Sequence, residues 1–178
     1  MNEALYFVLN TLLTLVVVVF LLRLLMPLVR ADFHNPVGEA VLKVTNPLVL
    51  PLRRVLPSGR RRFDLASLVA LLIVHFAKTI VLLLVRGAVL RPETVIFAGL
   101  YGLLITVIQF YFYAVLIYAI MSWFGSAAYS PVGRVLDDLC SPLLAPFRRL
   151  IPPLGGLDLS ALFLIIALQA LLILLRSP

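Results

Sequence analysis

The chain is short of charge, of cysteine and of histidine. Only 13% of its 178 residues are charged, while 63% are hydrophobic and the mean hydropathy is +1.13. Soluble domains carry roughly 25% charged residues, so a soluble fold of this size could not cover its surface. The apolar excess must face lipid. Cys140 stands alone, which excludes an intrachain disulfide and a cysteine-rich metal site. No G-x-S-x-G, H-E-x-x-H, P-loop or Gly-rich dinucleotide turn occurs. Asp137 and Asp138 are adjacent, and adjacent helical residues point about 100° apart, with no His or Lys nearby in sequence to complete a site. Catalysis is not expected, and neither a cofactor nor a metal is implied.

What the chain has is four apolar runs, each near the roughly 20 residues that cross a bilayer. They are Ala4–Leu25, Leu65–Val85, Val95–Trp123 and Leu159–Leu175. Glu3 precedes the first run and no Lys or Arg does, so it reads as a retained anchor and not as a cleavable signal peptide. The last run is short, which predicts little tilt or local thinning of the bilayer. The net charge is +7, but the basic residues lie between apolar runs, not along a polar face. They read as orientation signals, and no nucleic-acid contact is predicted.

The chain also repeats itself. When Pro36-Val37-Gly38 is laid on Pro131-Val132-Gly133, Tyr6, Thr11 and Met26 fall on Tyr101, Thr106 and Met121. In the same register Pro47-Leu48, Pro51, Arg53-Arg54 and Pro57 fall on Pro142-Leu143, Pro146, Arg148-Arg149 and Pro152. With one residue deleted, Asp64-Leu65 meets Asp158-Leu159. This register predicts a tandem duplication, residues 1–92 and 93–178, each half holding two spans and a long connection.

Each connection reads as two short amphipathic helices. Asn35-Pro36 and Ser130-Pro131 look like an N-cap followed by proline at the first helical position. Val37, Ala40, Val41 and Val44, matched by Val132, Val135, Leu136 and Leu139, then form one apolar stripe, from which Leu42 departs. Asn46-Pro47 and Ser141-Pro142 are expected to start a second helix, with Leu48, Val49, Leu52, Val55 and Leu56, or Leu143, Leu144, Phe147, Leu150 and Ile151, on its apolar side. Arg53, Arg54, Arg148 and Arg149 leave that stripe on the polar side. Pro57 and Pro152 are expected to stop the helix, and Asp64 and Asp158 to cap the following span. Helices of this length with one wet face belong in the headgroup plane, with their arginines near lipid phosphates.

Lys and Arg set the orientation. Arg30, Lys43, Arg53, Arg54 and Arg60-Arg61-Arg62 crowd the first connection, and Arg134, Arg148 and Arg149 the second, whereas only Arg86 and Arg91 link the repeats. The excess of positive charge predicts cytoplasmic connections and both termini outside. Two spans per unit make the repeats parallel, related by a pseudo-twofold axis along the membrane normal.

The PVG run and the P-L-x-x-P-x-R-R-x-x-P element followed by D-L, present in both halves, resemble the YggT family, also called YlmG-like. These are small integral membrane proteins of bacteria and plastids. The resemblance covers nearly the whole chain and implies roles around osmotic or ion homeostasis, organisation of cell division or the nucleoid, or assembly of a membrane complex in chloroplasts. It implies no catalytic residue. Arg60-Arg61-Arg62 departs from the second half, which has Gly155-Gly156 nearby.

Two sets of residues are candidates for function. Arg53, Arg54, Arg148 and Arg149 are topology anchors and contacts to anionic lipid phosphates on one reading and a docking site for a partner protein on the other. The partners expected overall are the bilayer's anionic headgroups and a membrane protein or a second copy of the chain. His75 and Lys78 share a face of the second span, and His75 aligns with Gln169, so both halves place a polar group at similar depth. Ionisable groups there are functional candidates unless paired, and Gln109 or Gln169 could bond His75 while Lys78 reaches the interface. Tyr101, Tyr111, Tyr113 and Tyr118 read as packing or an aromatic belt. The leading expectation is a non-catalytic inner-membrane scaffold or accessory factor. Its competitor is an ion or solute path past His75, Lys78, Gln109 and Gln169, although the spans hold no acidic residue and no Gly/Pro-broken helix pair.

Overall fold

The computed structural model describes residues 3–31, 33–56, 63–123, 130–150 and 159–176. Within them every regular element is an α-helix: α1 (Glu3–Leu28), α2 (Pro36–Val55), α3 (Leu65–Val85), α4 (Pro92–Trp123), α5 (Pro131–Leu150) and α6 (Leu159–Arg176). The four apolar runs become α1, α3, α4 and α6, all long and apolar enough to cross a membrane. Their sides are largely uncovered: Phe7 is 67% and Phe97 74% exposed. In water such sides would associate, so they belong against acyl chains. At about 1.5 Å per residue, the 18 residues of α6 give ~27 Å, just under a hydrocarbon core of ~30 Å.

Helix ends follow their local chemistry. The Asn35 side chain accepts from Gly38 N–H at 2.9 Å, and the Ser130 hydroxyl from Gly133 N–H at 3.0 Å, as N-caps do. Asp64 caps α3 by accepting from Ala66 N–H at 3.2 Å and from the Ser67 hydroxyl at 2.7 Å. Asp158, Pro57 and Pro152 lie outside the described residues. α1 closes in a Schellman turn, with Ala31 N–H on the Met26 carbonyl and Arg30 at φ 62°. Gly87, at φ 71°, does the same for α3, where a left-handed residue without Cβ costs least.

Each connection holds one helix of 20 residues where the sequence suggests two. The residues read as second caps have other partners. Asn46 accepts from Arg23 at 2.9 Å, and the Ser141 hydroxyl donates to Asp137 at 3.1 Å. Without a cap to break it, the helix runs on through Pro47 and Pro51, or Pro142 and Pro146. All four prolines are exposed. In α2 the carbonyls they leave without an intrahelical donor, those of Lys43 and Pro47, lie on that exposed side.

The covered stripe of α2 also differs from expectation. Gly38, Val41, Thr45 and Val49 are buried and Leu42 is half-buried, while Ala40, Val44 and Val55 are exposed. In α5 Val135, Leu139, Cys140 and Leu144 are buried, and Val132 is exposed. Gly38 is required sterically, since a Cβ there would meet the Phe33 carbonyl oxygen at 2.6 Å.

The chain forms two compact units. The first comprises Met1–Leu24 and Val41–Thr106, the second Leu25–Ala40 and Val107–Pro178. Buried in the first are Val17, Phe20, Leu21, Val49, Ala70 and Leu71. The second is built on Ala114 and Val115 of α4, Cys140 and Leu144 of α5, and Ala161 and Leu164 of α6.

Candidate functional sites

In the first unit a polar cluster joins α1, α2 and α3. Arg23, only 3% exposed, donates through Nη1 to Thr45 Oγ1 at 3.1 Å and to Asn46 Oδ1 at 2.9 Å. The Thr45 hydroxyl in turn donates a hydrogen bond to the Val41 carbonyl at 2.6 Å. Beside them Arg53 pairs with Asp64 at 2.5 Å. Burial alone would raise the Asp64 pKa, but hydrogen bonds from Arg53 and Ser67 and the Arg53 charge outweigh it and hold the carboxyl below its usual value. Arg53 therefore braces α2 on the start of α3, whereas Arg54 is exposed and has no hydrogen-bond partner among the described residues.

Arg23 escaped the sequence reading, which absorbed it into the first apolar run. The signal was available: a lone Arg inside a span needs a partner, and the residue aligned with it 95 positions on is Tyr118.

The second unit rebuilds the joint with other chemistry. Arg148 Nη2 donates to the Tyr118 hydroxyl at 2.9 Å, with the guanidinium 5.9 Å from the ring centre. Arg149 is exposed. Cys140, at the position of Thr45, is fully buried, and burial with the neighbouring Asp137 charge pushes its thiol up to about 12. The same unit has a cavity of about 510 Å³, lined among others by His34, Tyr118, Met121, Arg134, Asp137 and Asp138. Burial, then repulsion from Asp137, raises the Asp138 carboxyl. Each arginine pair is thus split: its first member is bonded within its unit, Arg53 while 41% exposed, and its second is exposed without a hydrogen-bond partner among the described residues.

Deeper in the spans, His75 is 1% exposed, and its Nε2 lies 2.9 Å from the Gly99 carbonyl of α4. A carbonyl only accepts, so Nε2 carries the hydrogen and Nδ1 is left a bare acceptor. That Nδ1 is buried without a partner among the described residues. A Cβ on Gly99 would run into the Phe76 ring, so any side chain there requires that ring to move. Lys78 Nζ donates to Thr14 Oγ1 of α1 at 2.6 Å, and Thr14 donates onward to the Asn10 carbonyl at 2.7 Å. His75 and Lys78 thus find Gly99 and Thr14, not the glutamines or the interface. Gln109 is half-buried, and Gln169 is exposed on α6.

Four apolar spans with polar joints at their ends define a multi-pass α-helical membrane protein. The CCB3/YggT family model matches residues 2–85 and 97–178, and the chain belongs to that family. It is 42% identical over 169 residues to the protein named "Uncharacterized protein YggT" of Escherichia coli K12, covering 95% of this chain and 87% of that one. An uncharacterized protein of Pseudomonas aeruginosa is 36% identical over 174 residues, 95% of this chain and 86% of its own. The "YlmG homolog protein 2, chloroplastic" of Arabidopsis thaliana is 40% identical over 67 residues, 38% of this chain and 26% of its own. No solved structure matches.

Proposed function

We propose that the protein is a non-catalytic scaffold or accessory factor of the bacterial inner membrane. Its α2 and α5 lie amphipathically at the cytoplasmic surface and hold anionic lipid headgroups or a partner protein. The observation that carries this reading is the split of the arginine pairs: Arg53 and Arg148 are bonded within their units, while Arg54 and Arg149 are exposed at the ends of the two helices with no hydrogen-bond partner among the described residues. Exposed cations beside apolar residues, such as Val44 on α2, suit a helix lying half in headgroups. The match of one family model to both halves supports the tandem duplication, which displays this surface twice. The Lys/Arg excess supports cytoplasmic connections and periplasmic termini.

The test uses Trp123, the single tryptophan, at the end of α4. Its quenching by brominated lipids in mixed liposomes measures the preference for anionic over zwitterionic headgroups. The double variant Arg54→Gln/Arg149→Gln is expected to lose that preference, and Arg→Lys at both sites to keep it. If the Gln variant keeps both its lipid preference and its binding to partners crosslinked from native membranes, the reading fails.

A second reading, a path for ions or small solutes past His75, Lys78, Gln109 and Gln169, is favoured by the buried, unpartnered Nδ1 of His75. It predicts flux into liposomes after an osmotic step, lost in His75→Leu. Equal flux in both proteins, or none above empty liposomes, would count against it.

A further inference from the structure

We infer that α6 is a pairing surface for the α6 of a second copy of this chain, with the two Gln169 amides hydrogen-bonded to each other at the centre. Gln169 lies well inside the 18-residue span. At about 1.5 Å per residue it is ~15 Å along the helix from Leu159 and ~10 Å from Arg176. It is exposed, with no hydrogen-bond partner among the described residues. Acyl chains offer an amide nothing to bond, and leaving one unbonded in hydrocarbon is costly. Thr11, another polar side chain exposed on a span, is satisfied locally by the Phe7 carbonyl at 2.8 Å. A primary amide brings two donors and an acceptor, more than its own helix can meet.

The surroundings of Gln169 have the spacing of a helix–helix seam. Leu162, Ile166, Gln169 and Ile173 follow one another at four, three and four residues, the a/d alternation of a left-handed helix pair. Leu162, Ile166 and Ile173 are each more than half exposed. The opposite side of α6, with Ala161, Leu164 and Leu172, is the one packed inside its unit, so the seam is open. In α3 the aligned polar residue, His75, is instead turned inward and bonded to Gly99.

The occupant follows from symmetry and chemistry. Two copies inserted the same way can be related by a twofold axis along the membrane normal, which runs their α6 helices parallel and brings both Gln169 residues to one depth. An amide is complementary to itself, the N–H of one meeting the carbonyl of the other in a single hydrogen bond. A lipid has no matching group at that depth, and a different protein would need its own polar residue there. One polar residue in an apolar seam also fixes the register of the pair.

Copper-phenanthroline crosslinking of full-chain variants that each carry one introduced cysteine, in native membranes, tests this directly. Cys140 can stay, since it is buried. Ile166→Cys and Ile173→Cys should give disulfide dimers, and Phe163→Cys and Leu171→Cys, exposed but off the seam, should not. In liposomes, dilution of donor- and acceptor-labelled protein should show Gln169→Leu raising the dissociation constant about 3- to 30-fold, the range of one interhelical hydrogen bond. Gln169→Asn should fall between the two. Equal crosslinking on and off the seam, unchanged association in Gln169→Leu, or a monomer at every lipid ratio would each overturn the inference.

Discussion

The joint at Arg23 makes an asymmetric prediction. A guanidinium that is 3% exposed has given up most of its hydration and recovers it through Thr45 and Asn46. Deleting the charge and deleting its acceptors are therefore different perturbations. Arg23→Met keeps most of the volume, removes the desolvation cost and leaves Thr45 still bonded to the Val41 carbonyl. Replacements of this kind are commonly near neutral, so a change within about 1 kcal/mol is expected. Asn46→Leu leaves the buried cation one acceptor short. With hydrogen bonds to charged groups worth about 1.5–3 kcal/mol, the loss should be about 2–3 kcal/mol. The double variant should recover most of that, because no cation then remains to be satisfied. Reversible unfolding in mixed micelles, read by helical circular dichroism, gives all three values and the coupling between the sites. If Asn46→Leu proves milder than Arg23→Met, or the double variant is additive, the guanidinium is not held as described.

Other outcomes follow from the same geometry. Gly99→Leu should drive a side chain into the Phe76 ring and lower unfolding stability by about 2 kcal/mol or more, partly restored by Phe76→Ala in the same micelle assay. The Asp64 carboxyl titrates lower folded than unfolded, so its contribution is present at neutral pH and fades as pH falls through and below the ordinary carboxylate range near 3.9. With Arg53 partly in solvent the effect should stay under about 1 kcal/mol, and Asp64→Asn should flatten the low-pH end of a stability–pH curve. The Cys140 thiol, buried and pushed up to about 12, should resist maleimide at pH 7.5 and react after unfolding, as mass spectrometry would show. Arg30→Gly should preserve or slightly raise the thermal midpoint, because it relieves a left-handed residue that carries a Cβ.

The spans were legible because length and hydropathy carry nearly all the information a bilayer demands. The caps at Asn35, Ser130 and Asp64 were legible because a cap is a local bond between near neighbours. The connections were not. Asn46 before Pro47 has the grammar of a helix start, but its amide is claimed by Arg23 from a different helix, and local reading has no access to that competition. The same limit applies to His75. A polar partner was expected, and the acceptor turned out to be the backbone of Gly99, which carries no side chain to announce itself. Lys78 finds Thr14 on α1, far off in sequence and as ordinary a residue as a span contains.

The bond between His75 and Gly99 sets an order of events at the ribosome. The acceptor lies 24 residues after the histidine. At about 5–20 residues per second, the imidazole therefore exists for roughly 1–5 s before the carbonyl it needs has been synthesised. During that interval α3 must enter the membrane with its imidazole unmet, or wait at the translocon until the first turns of α4 emerge. Gly99 falls early in α4, in the second turn or so after Pro92, which keeps the wait short. A chain cut between α3 and α4 leaves the imidazole without this acceptor, so such a fragment is expected to fold less stably than the full chain.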